Sequence, residues 1–254
     1  METLKVVVGC NGNLGKAISK FELQNNKKVI GIDINHNSHL ESFSNFKYIK
    51  LDCTLPEEIE NYFLRISQKD NILVRSLILA AALDSIPQQS NNKSKYNYGL
   101  TNQEFDEIQK RINVNITSQI FMLKVFEKYL FKNSHVCLFS SIYGIKSPDH
   151  RIYEEGFIKP LEYSASKSAI LGLTKHFAIT SANSDKGRCN CLILGGVESE
   201  AQSNDFKNKY TKKVPLKKMA QLDDVVNAYS FLDSDKAKYI TGTSLTVDGG
   251  YSSW

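Results

Sequence analysis

The sequence predicts an α/β protein, a parallel β-sheet with helices on both faces. Three observations lead there. Strand-like and helix-like stretches alternate along the 254 residues. The strand-like stretches, 4–8, 28–32, 47–51, 76–81, 134–140, 190–194 and 244–247, are short and nearly continuous in apolar residues, as strands buried on both faces are. The stretches between them carry amphipathic helical spacing.

The helices follow in order. One opens near Asn13, directly after a glycine-rich turn. A second spans 56–68, where Pro56 suits a first helical turn. A third starts at Thr101, which with Glu104 makes a capping box. Long helices over 116–131 and 163–182 come next. The last, over 222–232, has Asp223 and Asp224 in its first turn, where the helix dipole favours negative charge. Three polar, irregular stretches, 84–99, 143–161 and 198–213, read as loops. All three follow strands, and ligands of open parallel sheets bind beyond the carboxyl ends of strands. They are the expected substrate surround.

The length suits one undivided domain over 1–254. No apolar run reaches the length that crosses a bilayer. The start, Met1-Glu2-Thr3-Leu4-Lys5, lacks the basic region and cleavage site of a signal peptide, so a cytoplasmic protein with no membrane partner is expected. Cys10, Cys53, Cys137, Cys189 and Cys191 form no CxxC pair and read as reduced, buried small hydrophobes. Cys189 and Cys191 share a strand face without further clustered ligands, and His36 and His39 sit in a polar loop, so no metal is expected. The net charge of +5 is spread over scattered lysines with no basic and aromatic array, which argues against nucleic acid as a partner.

Chemistry concentrates at two places. The first strand runs into Gly9-Cys10-Asn11-Gly12-Asn13-Leu14-Gly15 and a helix follows. Glycines there allow a tight turn, let backbone approach a pyrophosphate and let the helix pack on the strand. Alone, the pattern also fits a turn with no ligand. The second strand ends at Asp33, 18 residues after Gly15. A carboxylate there can bond the adenosine ribose hydroxyls and repels a 2′-phosphate, which favours NAD over NADP; the alternative is a cap for the next loop. Asp52 can bond the adenine amino group or cap a helix, and spacing does not choose.

At the other place, Tyr163-Ser164-Ala165-Ser166-Lys167 opens a helical stretch. Tyrosine and lysine at i and i+4 share a helix face. An ammonium beside a phenol is expected to lower the phenol pKa from about 10 and make it a usable acid/base. Ser140 and Ser141 end the fifth strand, where hydroxyls face the crevice. Asn115, at a helix junction, can open the helix and hold a water.

This ordered set resembles the short-chain dehydrogenase/reductase family over nearly the whole chain. The resemblance rests on Gly9 to Gly15, Asp33, Asp52, Asn115, Ser140-Ser141-Ile142-Tyr143-Gly144, Tyr163-xxx-Lys167, Asn190 to Gly196, and the tail through Val247-Asp248-Gly249-Gly250. It implies a Rossmann-type, doubly wound, seven-stranded parallel sheet and a homotetramer or homodimer. It implies that Tyr163 exchanges a proton with the substrate oxygen. Ser141 would hydrogen-bond that oxygen, Lys167 would bind the nicotinamide ribose, and Asn115 would position a water. Gly9, Asn11, Gly12, Asn13, Leu14, Gly15, Asp33, Asp52, Ala80, Ala81, Gly196 and Val197 would line the dinucleotide with Tyr163 and Lys167, a backbone amide near Gly196 meeting the carboxamide.

Four features depart from the family pattern. The glycines fall at 9, 12 and 15, a spacing like that of the extended branch. Leu79-Ala80-Ala81-Ala82 replaces Asn-Asn-Ala-Gly, so some local rearrangement is expected. Leu194 replaces a proline that shapes the turn under the nicotinamide. Ser141 and Tyr163 are 22 residues apart, longer than usual, the extra residues lying within 146–161. That polar insertion, with the ending Tyr251-Ser252-Ser253-Trp254, is similar to bacterial dehydrogenases of surface-sugar biosynthesis, of the flagellin-modification and legionaminic-acid type. The expectation is a hydride transfer between NAD(H) and a secondary alcohol or ketone on a sugar-like or nucleotide-sugar-like substrate. Two alternatives stand beside it: a non-catalytic dinucleotide sensor or scaffold, and an epimerase or dehydratase using bound NAD. The insertion can also serve only an interface between subunits.

Overall fold

Strands β1 (Thr3–Val8), β2 (Lys28–Asp33), β3 (Phe46–Lys50), β4 (Leu73–Leu79), β5 (Leu130–Ser141), β6 (Arg188–Leu194) and β7 (Ser244–Val247) form one sheet. All neighbours pair in parallel, in the order β3-β2-β1-β4-β5-β6-β7. The chain begins mid-sheet, winds outward to β3, then returns to β4 and winds the other way. The reversal between β1 and β4 leaves a crevice beyond the strand ends. The structure is a computed structural model that describes residues 3–68, 72–84 and 103–254.

Helices α1 (Asn13–Gln24), α2 (Pro56–Ser67), α3 (Phe105–Ile112), α4 (Ser118–Glu127), α5 (Leu161–Asn183), α6 (Asn204–Thr211) and α7 (Leu222–Asp233) cover the sheet. Side chains alternate across each strand. Val6, Val8, Val136 and Leu138 pack with Phe63, Phe126, Ile170 and Phe177 on one face. Val7 and Cys137 pack with Ile18, Leu23, Tyr229 and Leu232 on the other. A third cluster sits over the carboxyl ends: Tyr143, Ile152, Tyr153 and Phe157 meet Tyr163, Tyr210, Met219 and Tyr251.

Several boundaries differ from the sequence reading. The helix expected over 116–131 stops at Glu127, and β5 already begins at Leu130. Lys128 and Tyr129 close the turn, and the strand pairs with β4 from Val74 onward. The stretch 198–213 is not all loop: Ser203 caps α6 by accepting from the Phe206 N–H at 3.1 Å. Residues 143–161 contain two short 3₁₀ turns, Ile142–Gly144 and His150–Ile152, and bury Ile152 and Phe157 in the third cluster. Thr101 lies outside the described residues, as does all of 84–99 except Asp84; Glu104 is the N-cap of α3.

The amino ends of the strands hold a buried charge network. Lys5 Nζ donates to Asp233 Oδ2 at 2.5 Å and Ser76 Oγ at 2.9 Å, and lies 3.2 Å from Glu22. Tyr229 donates to Glu22 at 2.7 Å, and His135 Nδ1 lies 3.3 Å from Asp233. Burial pulls the His135 pKa below its usual 6.5, against the pull of Asp233. Burial opposes ionisation of Asp233, but His135 and Lys5 outweigh it and hold the carboxyl well below the usual range. Both groups bind protons more readily in the unfolded chain, so acid favours unfolding. Calorimetry should show the melting temperature falling as pH drops below about 6.5. Asp233→Ala leaves buried Lys5 with Glu22 as its one carboxylate partner among the described residues and takes an acceptor from Ser76, and should cost about 3–5 kcal/mol, measured by urea unfolding at pH 7.5.

Candidate active site

β1 ends in a tight turn that only glycine fits. Gly9 has φ +83°, and a Cβ there would lie 2.6 Å from the Ala81 nitrogen. A Cβ on Gly15 would lie 2.1 Å from the Gly9 carbonyl oxygen, so α1 starts pressed against the turn. Gly12 is the N-cap of α1, and no side chain caps the helix. A Cβ on Gly12 would meet only the Gly9 oxygen, at 3.5 Å. Open space in front of uncapped N–H groups fits a pyrophosphate.

Asp33 braces this turn. Its Oδ2 accepts from the Asn11 N–H and its Oδ1 from the Asn35 N–H, each at 3.0 Å. Asn11 Nδ2 also donates to the Asn35 carbonyl. Asp52 Oδ1 accepts from the Thr54 N–H at 2.8 Å and its hydroxyl at 2.7 Å, which is a turn-closing role.

A cavity of about 310 Å³ lies beyond the carboxyl ends of β1, β4, β5 and β6. It brings together Asn13, Leu14, Ala80, Ala81, Asn115, Ser141, Tyr163, Lys167, Gly196 and Val197. Gly9, Asn11, Gly12, Gly15, Asp33 and Asp52 are outside its lining, at the ends of β1, β2 and β3.

Tyr163 sits in the first turn of α5, with Lys167 one turn on. The Ser140 hydroxyl donates to the Lys167 carbonyl at 2.6 Å and docks the helix on β5. Lys167 Nζ donates to the Phe139 carbonyl at 3.1 Å and lies 5.7 Å from the centre of the Tyr163 ring. The expected lowering of the phenol pKa is reversed. Burial pushes Tyr163 well above 10 and the Asp84 carboxylate adds to the rise, while a hydrogen bond with Ser141 opposes both. Burial also pulls the Lys167 pKa down. A buried charge is costly, and here desolvation outweighs the neighbouring ammonium.

Asn115 does open its helix. Asn113–Thr117 form a π turn between α3 and α4. Its amide clasps Leu83, accepting from that N–H at 2.7 Å and donating to that carbonyl at 3.0 Å. Gln119 Nε2 donates to the Ala81 carbonyl at 3.0 Å. These two amides hold the segment where the family pattern has asparagines. The Leu194 turn is supported differently too. The Gly196 N–H donates to the Tyr210 hydroxyl at 2.5 Å, and a Cβ on Gly196 would strike that ring at 2.7 Å. The Gly196 N–H is therefore engaged within the protein.

Sequence reading placed Asp84, Tyr153, Lys159 and Tyr210 within the loops expected around the substrate without singling them out, and gave no role to Gln119; all line the cavity. Tyr210 had a signal, since Phe206 and Tyr210 are four apart behind Ser203. Lys159 had none, because its place depends on the fold of the insertion.

Residues 9–252 match the family model described as enoyl-(acyl carrier protein) reductase. The chain belongs to the short-chain dehydrogenase/reductase family. It is an oxidoreductase of the kind that acts on CH–OH and keto groups. It is 29% identical to post-translational flagellin modification protein A of Campylobacter coli, covering 96% of each chain. Among solved structures, a short-chain dehydrogenase of Leptospira borgpetersenii with bound NAD+ superposes with TM-score 0.86 and 26% identity, over 99% of this chain and 93% of that one. ElxO with NADP bound superposes with TM-score 0.78 and 24% identity, over 100% and 99%, and shares the fold. Among the described residues no helix is long and apolar enough to cross a membrane, and no group of three His, Cys, Asp or Glu can hold a metal.

Tyr210→Phe in this dehydrogenase removes the acceptor of the Gly196 N–H. It should cost about 1–3 kcal/mol, and lower the melting temperature by roughly 2–4 °C per kcal/mol. Dinucleotide affinity, read by fluorescence, should weaken in the same variant.

Proposed function

We propose that the protein moves a hydride reversibly between NAD(H) and a secondary alcohol or ketone on a sugar-like substrate of surface-glycan biosynthesis. One observation carries the reading: Ser141, Tyr163 and Lys167 share a cavity with Asn13 and Leu14 of the uncapped α1 start. The glycine turn, with space before Gly12, supports a dinucleotide there. NAD rather than NADP follows from the Asp33 carboxylate beside that turn, which repels a 2′-phosphate. Asp33 and Asp52 stand at the adenosine end. When bound, the dinucleotide supplies the hydride donor or acceptor. The polar insertion and the flagellin-modification relative support the sugar-like substrate.

The residues divide the work. In ketone reduction Tyr163 Oη gives its proton to the substrate oxygen, and the Ser141 hydroxyl steadies the charge on that oxygen. Lys167 holds the ribose and replaces the lost proton's charge. Asn115 holds the Leu83 backbone in place, and the family resemblance has it position a water for the proton relay. Exposed Phe105, Ile120 and Ile179 on α3, α4 and α5 support a homodimer or homotetramer. A cytoplasmic setting suits the reduced cysteines.

Tyr163→Phe should lower kcat by about 10²–10⁴, with NADH affinity unchanged. Full turnover in that variant would remove the acid/base. Because Tyr163 is held protonated well above pH 10, alcohol oxidation should rise about tenfold per pH unit in the neutral range. Ketone reduction should stay flat there.

A further inference from the structure

The insertion delivers a second lysine to the reacting phenol. Lys159 is 6% exposed, and its Nζ pairs with Asp84. The same Nζ stands 4.4 Å from the centre of the Tyr163 ring, closer than that of Lys167. Lys159 and Asp84 line the cavity beside Ser141 and Tyr163. The Asp84 charge reaches Tyr163, Tyr153 and Lys167, whose protonation it shifts.

Both partners are held from behind. The Lys159 N–H donates to His150 Nδ1 at 3.3 Å, and Pro160 next to it caps α5. Asp84 follows Leu83, which Asn115 clasps. An ion pair whose carboxylate reaches solvent gives little net stability, so its place beside the phenol asks for another reason.

We propose that Asp84 and Lys159 read two adjacent substrate hydroxyls, one donating to Asp84 and the other accepting from Lys159. The pair selects a neutral polyhydroxylated substrate with two adjacent hydroxyls next to the reacting carbon. A carboxylate only accepts and an ammonium only donates, whereas a hydroxyl does both, so a vicinal diol matches the pair. A plain ketone or acyl chain offers neither group a hydrogen bond. An anion gains little, because the pair is neutral overall. Tyr153 and Phe206, with ring centres 5.3 Å apart, line the same cavity and offer apolar faces to the C–H bonds of such a molecule.

The proposal rests on the oxidoreductase reading, but its test needs no hydride transfer, so the two fail separately. NADH fluorescence titrations of the loaded protein would compare xylitol with 1,5-pentanediol, which lacks the inner hydroxyls. Xylitol should bind about 100-fold more tightly. Asp84→Asn, Lys159→Met and the double variant, which removes both charges together, should each shrink that preference to below about tenfold, with NADH affinity kept. Equal affinity for the two alcohols would overturn the proposal. So would an undiminished preference in the double variant, or succinate binding better than xylitol.

Discussion

The Ser140 hydroxyl, 3% exposed, donates to the carbonyl of Lys167 in the middle of a helix. A buried hydroxyl needs a partner, and this one is satisfied only when α5 lies along β5 in one register. Val136, Leu138 and Ser140 share a strand face, so the same face that buries Ile170 and Phe177 also makes this bond. Packing fixes the separation of helix and sheet, and the hydroxyl fixes the position along it. Tyr163, one turn before Lys167, must then stand over the strand ends beside Ser141. The geometry of the reacting group follows from a contact that touches no ligand.

The two ends of the sheet treat charge in opposite ways. At the amino ends, Lys5, Glu22, Ser76, His135, Asp233 and Tyr229 bond one another inside the protein. At the carboxyl ends, α1 begins without a side-chain cap and Tyr163 is buried with its proton held tightly. Parallel strands covered on both faces leave polar groups no other rim to use. The closed network holds the sheet, and the open rim carries the chemistry.

Where the chain departs from its family, other elements take over. Without a proline at 194, the turn after β6 leans on Tyr210 of α6, whose ring stacks on Tyr251 at 4.9 Å. Without asparagines after β4, Asn115 and Gln119 reach across to Leu83 and Ala81. The insertion is fastened on its outer side, where Asp149 holds Arg151 and Lys213, and Lys146 donates to the carbonyl of Trp254 at 2.5 Å. The insertion, the turn after β6 and the carboxyl terminus are one packed unit.

The sequence alone determined the alternation of strands and helices, the glycine turn, and the order Asn115, Ser141, Tyr163, Lys167. These are readable because each depends on local spacing: apolar runs for buried strands, i and i+4 for a helix face, glycine for a forbidden Cβ. It did not determine the start of β5 at Leu130, because strand pairing with Val74 overrides a helical pattern. Nor did it determine the direction of the Tyr163 shift, since burial depends on everything packed around the ring. The fold alone decided that Lys159 and Asp84, 75 residues apart, meet beside that ring. A contact between distant segments leaves no period in either one, so only the tertiary packing could bring them together.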